Sequence, residues 1–112
     1  MLEGFEDVSV IHNDSQNVLI VWFEPWGKSY PLSPGETYRV VAHSLQPGSL
    51  EIADADGDVV VYGWPGSTLH VYKRDMLVEY FSTEVPALPP GMTSKSFISF
   101  MFGGHGGPNQ ST

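Results

Sequence analysis

The chain has 112 residues, enough for one domain with one modest core. Charged residues are only 16% of it, and twelve Gly with nine Pro argue against a helical bundle, because each breaks a helix interior. Five Lys and Arg against thirteen Asp and Glu give a net charge of −8, so the basic stripe needed by nucleic acid or an anionic membrane surface is missing, and the lack of cysteine removes disulfides, thiolate metal sites and Cys nucleophiles.

The first residues, Met-Leu-Glu-Gly-Phe-Glu-Asp, are acidic where a secretory leader is basic, and no run approaches the ~20 apolar residues of a membrane span. A cytoplasmic protein without a membrane span is the expectation. Short apolar runs then alternate with Pro, Gly, Asn and Asp, which predicts strands and turns. The first strand is predicted over 8–12, followed by a turn at Asn13-Asp14-Ser15 and Asn17, whose short polar side chains satisfy local backbone groups. Residues 18–23, Val-Leu-Ile-Val-Trp-Phe, are apolar at consecutive positions, which predicts a central strand covered on both faces, with Trp22 in the core. Glu24-Pro25-Trp26-Gly27 is a turn. Residues 28–32 contain Pro31 and so form an edge or bulged strand.

Ser33-Pro34-Gly35-Glu36 turns into a strand over 37–42, with Tyr38 and Val40 on one side and Arg39 and Val41 on the other. After Gln46-Pro47-Gly48, residues 50–52 alternate, and Asp54-Ala55-Asp56-Gly57 forms a hairpin loop returning into 58–62. Trp64-Pro65-Gly66-Ser67 is the next turn. Residues 68–73 set Leu69 and Val71 against His70 and Tyr72, and 76–81 form a last strand or a short helical turn. The fold class is therefore all-β: a small antiparallel sandwich or barrel of about seven to eight strands with an extended C-terminal tail. Residues 1–83 form the domain, 84–96 a Pro-rich linker, and 97–112 an apolar and then Gly-rich tail.

No complete catalytic motif is present. His12, His43, His70 and His105 could converge as in a cupin, a metal-dependent alternative. No two of them have the i, i+2 spacing that puts ligands on one strand face, and surface or hydrogen-bonded histidines explain them as well. Asp54, Asp56 and Asp58 resemble the start of a calcium loop, but the sixth and twelfth positions are Val59 and Pro65, so a hairpin turn accounts for them. Gly63-Trp64-Pro65-Gly66-Ser67 lacks the Gly-x-Ser-x-Gly order of a nucleophile elbow. No enzyme, cofactor or metal is expected.

Two binding readings remain. Trp26 and Trp64, in rigid turns, either present their indoles to a sugar at one end of the domain or fold back to plug the core. Phe97, Ile98, Phe100, Met101 and Phe102 are apolar enough that burial of each is worth roughly 1.5–3 kcal/mol, so they either add to the domain or dock on a protein partner. The acidity serves solubility or an acidic docking face.

The strings Val18-Leu19-Ile20-Val21-Trp22, Glu24-Pro25-Trp26-Gly27, Tyr30-Pro31-Leu32-Ser33-Pro34-Gly35-Glu36 and Val61-Tyr62-Gly63-Trp64-Pro65-Gly66-Ser67 resemble small uncharacterised bacterial all-β proteins. The resemblance covers residues 18–67. It implies the fold and no activity. The expected function is a non-catalytic protein-interaction module, an accessory subunit of a larger bacterial assembly anchored through its C-terminal tail. A carbohydrate-binding module using Trp26 and Trp64 is the alternative.

Overall fold

The computed structural model describes residues 4–88, 91–93 and 95–96. It is all-β, with eight strands: β1 (Phe5–His12), β2 (Leu19–Glu24), β3 (Lys28–Leu32), β4 (Thr37–Ser44), β5 (Glu51–Ala55), β6 (Asp58–Tyr62), β7 (Thr68–Lys73) and β8 (Met76–Phe81). They form two four-stranded sheets, the first in the order β1-β4-β7-β8 and the second in the order β3-β2-β6-β5. All the pairs are antiparallel except β2–β6, which is parallel. A parallel pair needs a long crossover and leaves no local turn signal, so nothing in the sequence marks it.

The alternation seen in the sequence builds the space between the sheets. Ile11, Tyr38, Val40, Ala42, Leu69, Val71 and Phe81 from the first sheet pack with Val21, Phe23, Leu32 and Val61 from the second. Phe23 and Phe81 meet across this core with ring centroids 5.2 Å apart. The Tyr30 hydroxyl on β3 donates to the Glu79 carboxylate on β8, joining the two sheets by a polar contact. That bond is the main cause of the upward shift of the Tyr30 phenol pKa, because it is lost on ionisation.

The turns follow their residue chemistry. Asp56 and Gly57 both have positive φ, 54° and 89°, which is the two-residue hairpin expected of Asp-Gly. Asn13 is 2% exposed and closes the β1–β2 connection: its amide donates to the Asn17 and Leu32 carbonyls, and its side-chain oxygen accepts from the Ser15 N–H. Pro31 lies on an edge strand and β2 is central, as the sequence predicts. Residues 76–81 form a strand rather than a helical turn, with a bulge against β7 between Val71 and Tyr72.

The chain stays attached beyond β8. Val85 is 3% exposed, its N–H donates to the Ser67 carbonyl, and its carbonyl accepts from the Gly66 N–H. Residues 97–102 and His105 lie outside the described residues, as does the whole of the predicted tail, 97–112. Among the described residues, no helix is long and apolar enough to cross a membrane.

Candidate functional site

Each sheet has an outer face, and strand register fixes which side chains lie there. On the first sheet, Val8 of β1 pairs with Val41 of β4, Val41 with His70 of β7, and His70 with Tyr80 of β8. The next row runs Val10, Arg39, Tyr72 and Leu77, and the row on the other side runs Glu6, His43 and Thr68. Paired residues share a face, so these side chains all point away from the core. Only Val41 is enclosed by its neighbours. Val8, Val10, Leu77 and Tyr80 are 45%, 65%, 54% and 45% exposed, so large apolar side chains reach solvent at both edges of this face.

Rings form the centre of this face. His70 stacks on Tyr80 at 4.1 Å between centroids, lies nearly parallel to Tyr72 at 6.2 Å, and meets His43 edge-on at 5.7 Å. The Arg39 guanidinium sits 4.5 Å above the Tyr72 ring, a cation–π contact that holds its charge over the apolar surface. Burial, reinforced by the neighbouring His43, lowers the His70 pKa below its ordinary value, so the ring favours its neutral form. Its Nδ1 is buried and has no hydrogen-bond partner among the described residues. At the corner, His43 Nδ1 lies 3.5 Å from a Glu6 carboxylate oxygen. There the face runs into an open cleft of about 500 Å³ whose lining includes Phe5, Glu6, His43, Leu45, Thr68 and Glu84.

A general base needs a reacting group within reach and an orienting partner, and a nucleophile beside it. His70 has rings on its faces instead. Ser67 is fully buried, and its hydroxyl accepts from the Trp64 N–H at 3.0 Å, a structural role in the β6–β7 turn. His43 and His70 do come together as the cupin-like alternative requires. His12 is bound to the Thr37 hydroxyl at 2.7 Å, and no cluster of three His, Asp or Glu positioned for a metal occurs among the described residues.

The two turn tryptophans do lie at one end of the sandwich, but both indoles are engaged by the fold. Trp64 is 6% exposed and its Nε1 donates to the Gln46 carbonyl at 2.9 Å. Its ring lies so close to Gly48 that a Cβ there would fall 2.2 Å from it. Trp26 is half-buried, stacks on Phe81 with centroids 5.2 Å apart, and donates from Nε1 to the Thr83 carbonyl at 2.8 Å. Trp22 corrects the sequence reading in the other direction. It is on the outer face of the second sheet, half-buried, with its Nε1 donating to Asp58 at 3.1 Å, and not in the inter-sheet core.

Sequence reasoning separates His70 and Tyr72 from Leu69 and Val71, and Arg39 from Val40, but does not join them into a site. That step needs the strand order β1-β4-β7-β8, which no local signal carries. Comparison with known proteins gives no match to any family model, curated protein or solved structure.

Proposed function

We propose that the chain is a non-catalytic protein-interaction module that docks a partner on the outer face of its first sheet. The observation that carries this reading is the exposure of Val8, Val10, Leu77 and Tyr80 around the stacked His70 and Tyr72. Apolar area of this kind, centred on Tyr and Arg, has the composition of a binding hot spot. Charge narrows the partner. The protein as a whole carries −8, and on this face the Arg39 guanidinium lies over Tyr72 and 4.0 Å from the exposed Asp75 carboxylate, with Glu6 at the His43 corner. The matching surface is therefore an apolar protein patch whose polar groups complement the Arg39–Asp75 pair, as an accessory subunit would meet on a larger assembly.

A photo-crosslinking residue at position 77 tests this in living host cells. One defined adduct with a second protein is expected, lost when Val10→Asp is added to the same chain. An adduct that persists in the Val10→Asp chain, or one formed equally well from position 52 on the other sheet, contradicts the reading.

A further inference from the structure

The edge strands of an open sheet carry outward backbone groups that can pair with another chain. Here the edges are β1 and β8 in the first sheet and β3 and β5 in the second. Three of the four are built against pairing. β3 is five residues long and holds Lys28 and Pro31, and β5 is as short. β8 is bulged, since Val71 pairs with Glu79 and Tyr72 with Leu77, which leaves Val78 out of step. β1 has none of these features. It runs for eight residues without Pro, Gly, Lys or Arg, in unbroken register with β4. Among the described residues, no strand lies on its other side. The Asn13 N–H donates to the Glu36 carbonyl at 3.0 Å, one step beyond the His12–Thr37 pair. Hydrogen-bond direction alternates along a strand, so Asp7, Ser9 and Ile11 bond toward β4, while Glu6, Val8, Val10 and His12 turn their N–H and C=O groups away from it.

We propose that two copies of the chain pair antiparallel along β1, about a two-fold axis at Ser9, so that their first sheets become one. Charge selects a second copy as the occupant and sets the register. The carboxylates of β1, Glu6 and Asp7, lie in its first half, and its imidazole, His12, closes the other end. Paired residues share a face, so outward-bonding residues must meet outward-bonding residues. Register about Ser9 places Val8 opposite Val10 and Glu6 opposite His12 of the second copy, twice by symmetry. Register about Val8 would put Glu6 opposite Val10, and register about Val10 would put His12 opposite Val8. His12 Nδ1 is engaged by the Thr37 hydroxyl at 2.7 Å, which leaves Nε2 to meet the carboxylate. Glu6 turns one oxygen toward His43 at 3.5 Å and keeps the other for the second copy. These contacts limit the repulsion between two chains of −8. The side chains of Val8 and Val10 still point away from the core, because the pairing runs through the backbone edge. The dimer does not rest on the docking of another protein. It would bring the β1 valines of both copies together at the middle of a doubled face.

Sedimentation velocity of the full chain at high micromolar concentration is expected to show a monomer–dimer equilibrium. Val8→Pro removes an outward N–H that β4 does not use, so the strand should stay in place while the dimer is lost. A single Ser9→Cys in this cysteine-free chain sets two sulfurs at the axis, where facing Cα atoms lie about 4.5 Å apart, within disulfide reach. Mild oxidation is expected to link Ser9→Cys chains far faster than Met76→Cys chains, although Met76 is 72% exposed. Glu6→Lys places a cation opposite His12 and should weaken the dimer about tenfold, and His12→Glu added to it should restore the affinity. A monomer at every concentration overturns the inference. So does a dimer that keeps its affinity in folded Val8→Pro, or equal linking at positions 9 and 76. Should Val8→Pro fail to fold, the linking rates and the Glu6/His12 exchange decide: a dimer that Ser9→Cys does not link and Glu6→Lys does not weaken is formed by another surface.

Discussion

The two outer faces of this sandwich start from similar material and end in opposite states. Val8 and Val10 point outward from β1 and are 45% and 65% exposed, while Val60 points outward from β6 and is fully buried. Tyr80 on the first sheet is 45% exposed and Tyr62 on the second is 1% exposed. Side-chain type does not decide the difference, and neither does strand alternation. Position in the sheet and packing by neighbours on the same face bear on it. Val60 and Tyr62 sit on a strand flanked on both sides, whereas Val8 and Val10 sit on an edge strand. Trp22 stays with its own face by donating to Asp58, and Arg39 sits over the Tyr72 ring, so each face also fixes its own large side chains. The open apolar face is the feature on which the proposed partner docking rests.

Several substitutions break or sharpen this contrast. The largest effect is expected from the same change on both faces. Val60→Asp places an unpaired carboxylate in a closed cluster and should lower stability by about 3–5 kcal/mol, whereas Val10→Asp should stay within about 0.5 kcal/mol, both read from urea unfolding. Equal losses would remove the distinction. A smaller effect follows from polar anchoring. Trp22→Phe keeps most of the packing and deletes the bond to Asp58, for a loss of about 1 kcal/mol, while Leu77→Ser on the open face should change stability by less than about 0.5 kcal/mol.

The pH dependence separates the faces by sign. Folded His70 holds its proton less tightly than the unfolded chain does at the ordinary 6.5, because of burial and His43. Its contribution is intact above that value and is lost as pH falls from 6.5 toward the lowered folded value. His43, Tyr72 and Tyr80 are the groups facing it, so His70→Gln should flatten stability in that window. Glu24 on the closed face runs the other way. Burial raises its pKa above 4.5, offset in part by the Gly27 backbone N–H. Stability is then lost as pH rises from 4.5 through the raised folded value, and Glu24→Gln should remove that decline. Thermal melts across pH 4 to 8 (about the span of these ordinary pKa values) read both changes, and a matching slope in wild type and variant would exclude either assignment.

Much of the fold is legible before any coordinates. Residues 28–32, 58–62, 68–73 and 76–81 are strands with the bounds the pattern gives, because turn residues bracket each one. The Asp56-Gly57 hairpin and the Asn13 loop are legible for the same local reason. The proposed docking face is not, since it is assembled from β1, β4, β7 and β8 by long-range pairing. Trp22 is misassigned because a continuous apolar run reports that both faces are covered without saying which face is the core. The turn tryptophans are ambiguous in sequence because Pro and Gly allow an indole to point either way. Close approach of Gly48 to Trp64 and of Trp26 to Phe81 resolves both toward the interior.

The most direct measurement compares thiol labelling rates at two engineered positions of a chain that has no other cysteine. Val10→Cys and Val60→Cys are made separately in the full chain and labelled under native conditions. The expected result is a rate at position 10 close to that of a free thiol, and labelling at position 60 that proceeds only through unfolding, slower by orders of magnitude. Equal, fast labelling at both positions would mean that the second sheet is as open as the first, and would contradict an account in which the outer face of the second sheet is closed and that of the first is open to the proposed partner.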